Sequence, residues 1–106
     1  SIRFDNPLCG DRIDLDFSIK DGRISHIGFK VRGCALCEAS SEVLAKNAIG
    51  YQLQELNNVG NKLSDYLVGT LDNPDWEGFE IFEPVKSVPS RHECVLLPFN
   101  ALKKAI

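Results

Sequence analysis

The sequence predicts an α+β domain, a small antiparallel sheet with helices packed on one face. Three observations predict it. Residues Arg12 to Arg32 alternate apolar and polar on both sides of Asp21-Gly22, the pattern of a β-hairpin closed by a two-residue turn. Helical spacing then recurs downstream, from Leu36 to Ile49 and again in the last third of the chain. Finally, 106 residues that are 43% hydrophobic can bury one modest core, not two. No internal repeat or low-complexity linker divides the chain, so residues 1–106 read as a single domain.

Taken in order, Ser1 to Phe4 is a short stub whose alternating Ile2 and Phe4 suit an edge strand. Asp5-Asn6-Pro7 breaks it, and Cys9-Gly10-Asp11 makes a tight polar loop in which Gly10 permits an unusual backbone angle. Arg12 to Lys20 puts Ile13, Leu15, Phe17 and Ile19 on one face and Asp14, Asp16 and Ser18 on the other. Arg23 to Arg32 returns as its partner. Ile24 is out of phase with Ile27, Phe29 and Val31, which predicts a bulge near Ser25-His26.

Gly33 ends the hairpin. Leu36 to Ile49 reads as a helix with Leu36, Ala39, Val43 and Leu44 inward and Gly50 as the stop. A second helical stretch from Gln52 is expected to break at Asn57-Asn58-Val59-Gly60 and resume over Lys62 to Val68. Leu71 to Gly78 reads as a loop, and Gly78 to Val85 as a short apolar segment open to either helix or strand. Arg91 to Ile106 reads as the last helix, with Val95, Leu96, Leu102 and Ile106 inward and Pro98 expected to bend or restart it.

Composition excludes several classes. A formal charge of −3 announces no basic nucleic-acid-binding face. No apolar run has the length of a membrane span, and no signal-peptide pattern is visible, so a cytoplasmic setting is expected. The chain has no Met, so Ser1 is expected not to be an untouched translation start.

Four cysteines stand out: Cys9, Cys34, Cys37 and Cys94. They can be disulfide staples, inert core thiols, reactive thiols or metal ligands. A hairpin runs out and back, so Cys9 and Cys34, at its two ends, are expected to lie near each other. Asp11 follows Cys9 by two residues and can face the same point. Cys34 falls at a helix N-terminus, where the partial positive charge favours a thiolate or a bound anion. Cys94 opens the last helix. Three thiolates and a carboxylate form a sound four-ligand set for zinc or for iron in a cluster, and the single oxygen makes it more labile than four sulfurs.

Each of these residues also has a plainer role. The cysteines can be buried structural thiols, and Asp11 can cap a turn beside glycine. Cys37, one helical turn from Cys34, reads either as a packed small hydrophobe or as a spare sulfur acceptor. His92 reads as a surface histidine and Arg91 as a solvated helix start. Ser40 and Ser41 read as close-packing residues.

Asn6-Pro7-Leu8-Cys9-Gly10-Asp11-Arg12, then Gly33-Cys34 with Ala39-Ser40-Ser41, then Arg91-His92-Glu93-Cys94 together resemble the iron–sulfur scaffold family of IscU, SufU and the NifU N-terminal domain. The resemblance spans nearly the whole chain. It implies a scaffold or carrier that binds iron or zinc and holds a transient 2Fe-2S cluster. The implied ligands are Cys9, Asp11, Cys34 and Cys94, with Cys34 and Cys94 as persulfide acceptors. The implied partners are a cysteine desulfurase and apo iron–sulfur acceptor proteins. The alternative it carries is a zinc-dependent sulfurtransferase relaying persulfide sulfur.

Cys34 and Cys94 are 60 residues apart, and the extra length around Gly60 to Gly78, with Arg91 three places before the last cysteine, resembles the SufU branch. Glu93 stands where IscU-like members have histidine, and only Pro84-Val85-Lys86 remains of their chaperone-binding motif. Family members usually carry a longer segment with a helix before the first cysteine, whereas eight residues precede Cys9 here. That N-terminal helix is therefore expected to be missing, and desulfurase docking through it is not carried over. Cys37 stands where the family usually has no cysteine.

Overall fold

The structure, a computed structural model, describes residues 2–5, 10–72, 76 and 78–104. The hairpin forms where the alternation predicts it. Strands β2 (Arg12–Lys20) and β3 (Arg23–Arg32) pair antiparallel, and β1 (Ile2–Asp5) adds to the other edge of β2. Asp21 and Gly22 have φ values of 55° and 78°, the two left-handed residues that this turn requires. Ser18 pairs with His26 and Ile19 with Ile24, so Ser25 is the extra residue of the expected bulge. The bulge resets the phase of β3 and turns Ile24 into the core.

The helices pack on one face of this sheet. Helix α1 (Ala35–Asn47) buries Cys37, Ser40, Ser41 and Leu44, while Leu36, Ala39 and Val43 are only half-buried. Leu44 and the half-buried three pack against the core as expected, and Cys37, Ser40 and Ser41 widen that inward face. The small side chains turn toward the last helix because Ser40 donates a hydrogen bond to the Val95 carbonyl. Helix α2 (Leu53–Val68) runs without the expected break at residues 57–60. A Cβ on Gly60 would sit 3.0 Å from Phe99, so the glycine marks a close helix crossing. A capping box of Gln52 and Glu55 starts α2, and Gly69 in the left-handed region ends it.

Phe79–Ser87 is a 3₁₀ helix, which decides the helix-or-strand choice left open for that segment in favour of helix. Its buried residues, Phe79, Phe82 and Val85, recur every third position, which is the period of that helix. After a single 3₁₀ turn at Pro89–Arg91, helix α3 (His92–Lys103) runs as one element through Pro98, so of the two expected effects, bend or restart, the restart does not occur. Pro98 is buried, and its missing N–H leaves the Cys94 carbonyl without its usual helical donor. Val95, Leu97 and Leu102 face the core and Leu96 is half-buried, while Ile106 lies outside the described residues. Helix α3 touches α1, α2 and the sheet, so it is the central packing element.

Candidate metal and sulfur site

The site forms at the end of the sheet where the hairpin closes on the helices. Arg12 and Arg32 pair across β2 and β3, so the flanking Asp11 and Gly33 face each other. Gly10 (φ 73°) turns the chain into β2 and places Asp11, which is buried. A Cβ on Gly33 would lie 2.7 Å from the Asp11 carboxylate carbon, so only glycine leaves room for that carboxylate. Cys34 is the extended N-cap of α1, with φ −77° and ψ 169°. Its carbonyl accepts from the Cys37 N–H at 3.1 Å. Cys94 is the third residue of α3.

These elements bring Asp11, Cys34, Cys37 and Cys94 together, with one ligand atom from each lying within 4.8 Å of the others. Cys37 Sγ donates to Asp11 Oδ2 at 2.9 Å and Cys94 Sγ donates to the same oxygen at 3.3 Å. Cys34 Sγ and Cys37 Sγ are 3.7 Å apart. The Ser40 bond to Val95 ties the two cysteine-bearing helices together one turn from the sulfurs. The Ser41 hydroxyl donates to the Cys37 carbonyl at 2.8 Å.

The thiols are not equivalent. Burial raises the Cys34 pKa, but the backbone N–H groups of Cys37 and Leu36 and the neighbouring thiols outweigh it, and the net direction is down. Burial first, then the hydrogen bond to Asp11, pushes Cys37 strongly up. Burial likewise pushes Cys94 up, to about 12, with its hydrogen bonds to Cys34 and Asp11 adding to the shift. Cys34 is half-buried whereas Cys37 and Cys94 are fully buried, so Cys34 is the more accessible and more readily ionised thiol of the three.

The donor set fits a thiophilic metal. Zn–S bonds of about 2.3 Å in a tetrahedral site imply sulfur–sulfur edges of roughly 3.8 Å, and the Cys34–Cys37 separation is 3.7 Å. Metal binding would displace the thiol protons that Asp11 now accepts.

Of the residues singled out from sequence, Asp11, Cys34 and Cys94 come together, and Cys9 lies outside the described residues. Asp11 is a buried acceptor for two thiols rather than only a turn cap. Cys37 is the residue that sequence reasoning left at the margin. The signal for it was the C-x-x-C itself, since a spacing of three across an N-cap puts both sulfurs on one side of the first turn. His92 stays out of the cluster. Its Nε2 lies 3.0 Å from the Val85 carbonyl, an acceptor, so that nitrogen carries the hydrogen. Arg91 is exposed.

A three-stranded sheet, a helical layer and a pocket of thiols around a carboxylate define a small metal- or sulfur-handling domain. The chain belongs to the NifU-like N terminal domain family, whose model matches residues 1–106. It is 31% identical over 109 residues to the iron–sulfur cluster assembly scaffold protein IscU of Streptococcus pyogenes serotype M1, covering 100% of this chain and 68% of that one. It is 26% identical over 107 residues to the zinc-dependent sulfurtransferase SufU of Bacillus subtilis, covering 99% and 73%. The crystal structure of a nitrogen-fixing NifU-like protein (N-terminal) from Brucella abortus superimposes with a TM-score of 0.86 at 30% identity, covering 97% of this chain and 73% of that one. Among the described residues, no helix is long and apolar enough to cross a membrane.

Proposed function

We propose that this protein is a scaffold on which an iron–sulfur cluster is assembled and then handed on. The convergence of Asp11, Cys34 and Cys94 within 4.8 Å, with Cys37 beside them, carries the reading. The likeness to an IscU scaffold protein over the whole chain supports it. In this reading Cys9, Asp11, Cys34 and Cys94 hold the metal, and the cargo is a transient 2Fe-2S cluster. Thiolates suit iron in a cluster, and the lone carboxylate oxygen keeps the assembly labile. Cys34 and Cys94 take sulfur as persulfide from a cysteine desulfurase, and apo iron–sulfur proteins receive the product. A cytoplasmic setting, which keeps thiols reduced, suits such a site.

Anaerobic reconstitution with ferrous iron and sulfide tests the reading. The expected result is visible absorbance from a bound cluster that passes to an apo acceptor. The Asp11→Ala variant is expected to hold its cluster longer than the wild type. A protein that binds neither iron with sulfide nor zinc overturns the proposal.

The second reading is a zinc-dependent sulfurtransferase, favoured by the likeness to SufU. There zinc releases one thiolate, from Cys34 or Cys94, to attack the donor persulfide. The expected result is faster desulfurase turnover with zinc-loaded protein and loss of that effect in Cys94→Ala. Turnover indifferent to both rules this reading out.

A further inference from the structure

Cys37 has no assigned task in either reading, yet its sulfur is in contact with Cys34. The pair is set up asymmetrically. Cys34, the N-cap of α1, is half-buried, while Cys37, one turn deeper, is fully buried. Their sulfurs are 3.7 Å apart, and the Cys37 S–H points at Asp11 Oδ2, 2.9 Å away. A nucleophile, its target sulfur and a proton acceptor are thus already in a row.

We infer that Cys37 is the resolving thiol of the site, discharging sulfur carried on Cys34 as sulfide. The inference rests on the reading that Cys34 accepts persulfide sulfur. A persulfide carries its outer sulfur at the oxidation level of elemental sulfur, whereas a cluster needs sulfide, so two electrons must be supplied. In the step, the Cys37 sulfur attacks the inner sulfur of the Cys34 persulfide. The Cys37 Sγ–Cys34 Sγ bond forms and the bond from Cys34 Sγ to the outer sulfur breaks. The outer sulfur leaves as HS⁻ with the electron pair of the broken bond. For a persulfide anion, Cys34–S–S⁻ and Cys37–SH become the Cys34–Cys37 disulfide and HS⁻. Asp11 takes the Cys37 proton and passes it to solvent, and water on the exposed side of Cys34 protonates the departing sulfur. The two cysteines are oxidised to a disulfide as the outer sulfur is reduced. A dithiol reductant, such as a reduced thioredoxin-type protein or dithiothreitol, restores the pair by exchange.

The burial order fits this direction of attack. Displacement at sulfur needs the attacking and leaving atoms on opposite sides. Cys37 approaches from the protein interior, and the leaving sulfur faces the exposed side of Cys34. Closing the disulfide shortens the present contact to about 2.05 Å, a side-chain adjustment at neighbouring turns.

The test loads the intact protein with inorganic polysulfide, removes the excess, and follows sulfide release without added reductant. The wild type is expected to gain one sulfur on the Cys34 peptide by mass, release it as sulfide, and end with a Cys34–Cys37 disulfide. In Cys37→Ser, whose hydroxyl still reaches Asp11, the persulfide is expected to persist and release to slow by about tenfold or more. Circular dichroism and thermal midpoint confirm that this variant is folded. Unchanged release in Cys37→Ser, or a disulfide from Cys34 to Cys94 instead, overturns the inference. No sulfur uptake by the wild type overturns the persulfide reading beneath it. The thiol pair is then tested alone by equilibration with oxidised dithiothreitol, where a Cys34–Cys37 link supports the couple and its absence ends it.

Discussion

The two ends of the β2–β3 hairpin are built from the same alternating strands and serve opposite purposes. At the tip, Ile19 is 48% exposed and Gly22 has open space around it. At the site end, Ile13 is completely buried, and Gly33 lies so close to Asp11 that an added Cβ would overlap it. Both ends need glycine. The tip needs a left-handed backbone, which costs an L-residue strain but disturbs nothing nearby. The site end needs the missing side chain itself. Local turn chemistry therefore governs one end and long-range packing the other.

The largest expected effect separates them by burial. Ile13→Ala removes a core side chain and is expected to cost about 3 kcal/mol of unfolding free energy. Ile19→Ala at the tip is expected to cost less than about 1 kcal/mol. Chemical denaturation of both variants checks this, and similar losses would mean that the core does not end where the sheet meets the helices. The glycines come next. Gly33→Ala is expected to cost roughly 2 kcal/mol through overpacking and to weaken zinc binding by moving Asp11. Gly22→Ala is expected to cost about 1 kcal/mol of backbone strain and to leave zinc affinity alone. Calorimetric titration with zinc distinguishes the two.

This contrast also marks what the sequence discloses. The strands, the Asp21-Gly22 turn and the Ser25 bulge are local patterns of period two, and they were legible from the residues. Asp11, Cys34 and Cys94 were legible because their motif contexts are specific, although their contact depends on α3 crossing α1. What failed was non-local. Gly60 reads as a helix breaker until Phe99 is seen to need the space. Ser40 and Ser41 read as close-packing residues, and they are buried, but the Val95 carbonyl that Ser40 reaches lies 55 residues away and is not legible locally. Cys37 reads equally as a packed small hydrophobe or a spare sulfur acceptor, because its place depends on which way α1 is turned.

The thiols give the site end a pH dependence that the tip lacks. Cys94 is raised from 9.0 to about 12, chiefly by burial, and Cys37 moves the same way. A group whose folded pKa lies above its unfolded value contributes stability that is complete below the unfolded value and lost as pH rises toward the folded one. Cys34, shifted down, opposes this as a single group, and all three face one another and Asp11. The metal-free protein is therefore expected to lose thermal stability as pH rises above about 9. Cys94→Ala should flatten that slope. So should zinc, because the bound thiols are already deprotonated. Melting curves at stepped pH, with and without zinc, check this, and an equal slope in all three samples would remove the thiols as its source.

The smallest expected effect lies on the outer face of the same strands, where the sheet meets solvent. Arg3 on β1 donates to Asp14 on β2 at 2.7 Å, and Arg12 pairs with Asp5 alongside. The Arg3 hydrogen bond and charge hold Asp14 below the usual carboxylate range. Whatever stability this pair contributes is present near neutral pH and lost as pH falls through the depressed pKa. Both side chains are well exposed, so water and salt screen the attraction and holding two long side chains together offsets it. Asp14→Asn is expected to leave the thermal midpoint at neutral pH and low salt indistinguishable from the wild type. A clear drop that disappears at high salt would show that the β1 edge is held by charge rather than by Phe4 packing against the core. In that case the contrast between the two ends of the hairpin would need a third region, the strand edge, with electrostatics of its own.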